Sequence, residues 1–97
     1  MTQPQLNELI IAREKRGLSR KQAAGFLHPL GYTGTSALEE YERGRAHPPL
    51  ETALALEIIY RKPIAFLWPQ LYSRIREQIR AKEAELLPRD EEMYHNA

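Results

Sequence analysis

The sequence predicts an all-α protein, five short helices followed by an additional C-terminal helix, with no segment that reads as a strand. Three observations carry this. Apolar residues recur at spacings of three and four along most of the chain instead of alternating. Glycines and prolines, with a serine or threonine often beside them, divide those runs into pieces of helix length. And 97 residues fit one domain with a single core and room for one appended element.

The first helix is expected over Gln5 to Arg16, with Leu6, Leu9, Ile10 and Arg13 on one face. Thr2 and Gln5 have capping-box spacing, Pro4 suits a first turn, and Gly17 stands where a helix ends. The second starts at Ser19, again with box spacing to Gln22. His28-Pro29 stops it, because the residue before proline avoids helical geometry. After the turn Leu30-Gly31-Tyr32-Thr33-Gly34, a third helix covers about Thr35 to Arg43, capped by Thr33, Gly34 or Thr35 and ended by Gly44 in left-handed geometry. Leu38 and Tyr41 face inward. His47-Pro48-Pro49 launches a fourth helix, Leu50 to Tyr60, densely apolar through Leu54, Leu56, Ile58 and Ile59. A short fifth helix follows at Ile64 to Trp68. Pro69 opens the last one, which continues to about Leu87, and Pro88-Arg89-Asp90-Glu91-Glu92 reads as a solvated tail. The expected division is therefore residues 1–68, a 69–87 helix and an 88–97 tail.

Composition removes several classes of function. The chain has no cysteine, which excludes disulfides, thiol nucleophiles and thiolate metal sites. His28, His47 and His95 are too far apart for a helical ligand pair. Residues 1–6 lack the basic and apolar regions of a secretory signal, and Glu57, Arg61 and Lys62 interrupt the longest apolar stretches. A cytoplasmic protein without cofactor is the expectation. Net charge is +1, so a field for nucleic acid has to be local, made by a few placed residues. No nucleophile–base pair and no glycine-rich phosphate loop is visible, which argues against an enzyme.

Two short helices joined by a glycine-containing turn, set between longer ones, form a helix-turn-helix pattern. The specific signal lies in Gly17-Leu18-Ser19 and in Ser36-Ala37-Leu38-Glu39-Glu40-Tyr41-Glu42-Arg43-Gly44-Arg45, which runs on to His47-Pro48-Pro49-Leu50-Glu51. Together these closely resemble the lambda-repressor/Cro-like, or XRE-type, helix-turn-helix family over roughly residues 6 to 68. The resemblance implies a five-helix DNA-binding domain, with Ile64 to Leu67 as the family's short fifth helix. It also implies an ion pair between Arg13 and Glu42. By the same resemblance Arg20, assisted by Lys21, contacts phosphate from the start of helix two, and Arg43 and Arg45 grip the backbone as the chain leaves the groove. Base reading falls to Thr35, Ser36 and Glu40, with Thr33 and Glu39 beside them. Hydroxyls serve several base edges, and a glutamate accepts from cytosine's amino group.

The sequence departs from the family twice. The turn before helix three is about four residues longer than usual, near His28-Pro29-Leu30. Helix three is also acidic, carrying Glu39, Glu40 and Glu42. In the last helix Tyr72, Ile75, Ile79, Lys82 and Leu86 follow the 3-4-3-4 spacing of a short coiled-coil seam, flanked by charge. Tyr72, Ile75, Ile79 and Leu86 are thus expected to form a homodimer interface; the rival is a helix folded back on its own core. The expected function is a transcriptional regulator on double-stranded DNA, of phage, mobile-element, controller or antitoxin type. Without an attached sensor domain, control by a small ligand is not expected. The alternative is a protein-interaction module that binds a toxin or another regulator.

Overall fold

The computed structural model describes residues 7–87. Among them the chain forms α1 (Leu9–Lys15), α2 (Arg20–Gly25), α3 (Ser36–Glu42), α4 (Leu50–Tyr60), α5 (Ile64–Leu67) and α6 (Pro69–Leu86), with a 3₁₀ turn at His28–Leu30. No strand occurs among the described residues, and the fold is all-α. None of the described helices is long and apolar enough to cross a membrane.

The first helix begins later than its periodicity suggests. Thr2, Pro4, Gln5 and Leu6 lie outside the described residues, and so does the tail from Pro88. At the observed start, the Asn7 side-chain oxygen accepts from the Leu9 N–H at 3.0 Å, while its Nδ2 donates to the Tyr41 carbonyl at 2.9 Å. The Glu8 N–H donates to the Leu67 carbonyl at 2.8 Å. Entry into α1 is thereby fixed to α3 and α5. Its buried face is Leu9, Ala12 and Arg13. Ile10, expected inside, is 37% exposed, because the next inward positions after Leu9 are those three and four residues on. Gly17, at φ 71°, ends the segment.

Ser19 caps α2 reciprocally with Gln22: the Ser19 Oγ accepts from the Gln22 N–H at 3.0 Å, and the Gln22 Oε1 accepts from the Ser19 N–H at 2.9 Å. The helix stops at Gly25, short of His28-Pro29. His28–Leu30 then wind a 3₁₀ turn with Pro29 inside it, closed by Gly31 at φ 96°. A proline needs no donor in a first turn, so the extra residues coil instead of looping out. The connection is pinned at Tyr32, whose hydroxyl lies 3.0 Å from that of Tyr41 and 2.7 Å from the Thr52 Oγ1. The two tyrosine rings meet edge to face, 6.5 Å between centroids.

Thr35 occupies the cap position of α3 but gives it no side-chain hydrogen bond, and its backbone is already helical. At the other end Gly44 takes φ 75°, and the Arg45 N–H reaches back to the Glu40 carbonyl at 3.0 Å. α4 spans Leu50–Tyr60 and ends at Arg61 in left-handed geometry, φ 59°. It buries Thr52, Ala53, Leu56 and Tyr60. Its remaining apolar residues do not all go inward: Leu50, Leu54 and Ile58 are 71%, 46% and 74% exposed, an i, i+4, i+8 row facing outward. Glu57 Oε1 accepts the Ile64 N–H at 3.2 Å, which sets α5 against α4.

The core gathers Leu9, Ala23, Leu27, Leu38, Leu56, Tyr60, Leu67 and Trp68 from α1 through the start of α6. Beyond its first turn α6 leaves that core. Every residue from Arg74 to Leu87 is exposed, so the helix does not fold back over the domain.

Candidate nucleic-acid interface

The side chains of α3 divide by helical geometry into two sets. Leu38, Tyr41 and Glu42 are buried, whereas Ser36, Glu39, Glu40 and Arg43 point away from the core at i, i+3, i+4 and i+7. What holds this face outward is an ionic clamp beneath it. Glu42 is 1% exposed. Its Oε2 accepts from Arg13 Nε at 2.7 Å, and its Oε1 from Arg13 Nη2 at 3.3 Å and from Arg20 Nε at 3.1 Å. Arg13 Nη1 donates further to the Leu18 carbonyl at 3.1 Å, where the chain enters α2. One buried carboxylate therefore ties α1 and α2 to the end of α3. The hydrogen bond to Glu42 holds the Arg13 guanidinium above its ordinary pKa, against the opposing effect of burial.

Beside the clamp, burial pushes the Tyr60 hydroxyl well above the ordinary tyrosine value, and the nearby Glu42 charge adds to it. That hydroxyl has no hydrogen-bond partner among the described residues. Burial, with the hydrogen bond to Tyr32, raises Tyr41 to about 12.

Two further arginines at this surface are paired locally. Arg43 Nη2 lies 2.7 Å from Glu39 Oε2, and Arg45 Nε lies 3.3 Å from Glu40 Oε1. Both arginine side chains are more than half exposed, so these pairs are each worth at most about 1 kcal/mol and yield readily to a phosphate. Lys21 is exposed on the first turn of α2 and forms no ion pair with the described residues. Thr33 is exposed and Thr35 half-buried, both just ahead of α3.

Arg20, Lys21, Thr33, Thr35, Ser36, Glu39, Glu40, Arg43 and Arg45 thus lie on α2, on α3 and on the segments flanking α3. Arg20 is half engaged by the clamp, a second role that its place at the helix start does not reveal. Sequence reasoning missed Asn7 and the Tyr32–Tyr41–Thr52 group. Neither has a local signal, since their partners lie 34, 9 and 20 residues away.

Two short helices, a clamped third helix with a polar outward face and two supporting helices define a helix-turn-helix DNA-binding domain. The helix-turn-helix family model matches residues 9–67, more than half of the chain. The protein belongs to the XRE-type helix-turn-helix family, the lambda-repressor/Cro-like group. No curated protein and no solved structure matches the chain. The family is one of DNA-binding regulators and not of enzymes.

Proposed function

We propose that this protein is a sequence-specific transcriptional regulator, a repressor of the phage, mobile-element, controller or antitoxin kind. It acts in the cytoplasm as a homodimer with α3 in the major groove. The observation that carries the reading is the clamp on Glu42. It fixes α3 to α1 and α2 while leaving Ser36, Glu40 and Arg43 on an outward polar face. In that placement Arg20, Lys21, Arg43 and Arg45 contact phosphates, giving affinity and salt dependence. Thr33, Thr35, Ser36, Glu39 and Glu40 read base edges. Dimerisation through Tyr72, Ile75, Ile79 and Leu86 is supported by their exposure, between 46% and 66%, on a helix that leaves the domain.

The test is a fluorescence-anisotropy titration against fragments of the region upstream of its own gene, at two salt concentrations. Tight binding to one fragment, weakened by salt and poorly competed by random DNA, supports a specific regulator. Binding equal to that of random DNA on every fragment rejects it. A protein-interaction module is the second reading, favoured by the outward row Leu50, Leu54 and Ile58 and by the pairing of Arg43 and Arg45 with glutamates. On that reading the partner is a toxin or another regulator, and there is little or no DNA binding.

A further inference from the structure

Between α4, α5 and α6 lies an open apolar groove of about 230 Å³, walled by Leu50, Ala53, Ile64, Trp68, Tyr72 and Ile75. It is formed on the N-terminal half of α6. The C-terminal half carries the complementary feature, a bare seam of Ile79 and Leu86, 54% and 66% exposed. We propose that two copies pair through antiparallel α6 helices, each seating the C-terminal half of its α6 in the other's groove. This rests on the dimeric reading above and specifies its geometry.

Two further features select the antiparallel orientation. The first is the position of groove and seam. A parallel pair would bring the two C-terminal halves together and leave both grooves open to water. An antiparallel pair fills both grooves at once, by one two-fold operation. The second is charge. Lys82 stands in the seam between Ile79 and Leu86. In a parallel, in-register pair it meets its own copy, like charge against like. Running antiparallel, it passes over the N-terminal half of the other helix, clear of its own copy, with its stem along apolar surface and its ammonium free to reach water.

The chain has no cysteine, so introduced thiols report proximity without background. Leu50→Cys and Leu86→Cys both replace exposed side chains, 71% and 66% accessible. Each variant is checked for helicity by circular dichroism and for mass by analytical ultracentrifugation, then oxidised alone and as a mixture of the two. The expected result is a dimer by mass, a disulfide between Leu50→Cys and Leu86→Cys chains in the mixture, and none in Leu86→Cys alone. A disulfide forms only when the Cα atoms come within about 7 Å, so the pattern separates the orientations. Leu86→Cys linking to itself, or a dimer that yields no mixed disulfide, overturns the antiparallel pairing and leaves dimerisation standing. A monomer at every concentration overturns both.

Discussion

At the scale of single residues, the fold depends most on one carboxylate. Glu42 accepts three hydrogen bonds from two arginines while 1% exposed. Arg13 was conspicuous in the sequence as a charge on an apolar helix face, and the family resemblance supplied Glu42 as its partner. Arg20's share was not legible, because a helix-start arginine reads equally well as a phosphate contact. Removing the carboxylate leaves Arg13 buried and unpaired, so Glu42→Ala should lower unfolding stability by about 3–5 kcal/mol in urea titrations. Arg20→Ala, at a side chain 37% exposed, should cost about 1 kcal/mol or less. Equal losses for the two would show that burial does not set the energetics of the clamp. Tyr41 gives a pH signature. Its hydroxyl titrates near about 12 in the fold against 10.0 unperturbed. A raised folded value means stability that is present below pH 10 and is lost as the pH climbs from about 10 through about 12. Tyr41→Phe should therefore show a shallower alkaline fall in stability than the parent, measured by denaturation at several pH values across that window. An unchanged slope would remove Tyr41 from the linkage.

Among the elements, the connection between α2 and α3 is the informative one. Its extra length was legible, but the end of α2 was not: the helix stops at Gly25, ahead of the stop expected at His28-Pro29. Nor was the conformation of the connection, because Tyr32 is held by Thr52 in α4, and a contact spanning 20 residues leaves no trace in local patterning. The same limit applies to α4. Apolar residues all around a helix declare burial without saying which side is bare, and the outward row of Leu50, Leu54 and Ile58 emerged only from packing. Gly31 tests the connection cleanly. A Cβ there would meet no atom within 4 Å, so the cost of Gly31→Ala is confined to its φ of 96°. That should destabilise the domain by about 1–2 kcal/mol in thermal or urea unfolding, and a neutral effect would mean that the turn relaxes. On the proposed DNA face the two sets of residues should separate by function. Arg43→Ala and Arg45→Ala should weaken binding to every sequence and flatten its salt slope, while Ser36→Ala and Glu40→Gln should change which bases are preferred. Uniform losses on all DNAs for all four substitutions would contradict the division between grip and reading.

Taken whole, the molecule is a closed domain with a helix left outside it. From Arg76 onward every described residue of the helix is exposed, and its remaining turns are fewer than an isolated helix needs to be stable in water. Local pairs such as Arg80–Glu83 and Lys82–Glu85 are exposed and add only tenths of a kcal/mol each. In the proposed dimer the helix's order is linked to association and so depends on protein concentration. Helical signal should rise across the monomer–dimer transition as α6 orders, and once dimers dominate each tenfold rise in concentration should stabilise the folded dimer by about 1.4 kcal/mol. Ile79→Glu changes a residue 54% exposed, so the isolated domain should tolerate it. It should nonetheless abolish the concentration dependence by placing a charge in the seam. Far-UV circular dichroism melts of parent and variant over a hundredfold range of concentration would decide the matter. Coincident curves for the parent would mean that α6 holds its shape alone, and the case for its being completed by a second copy would be lost.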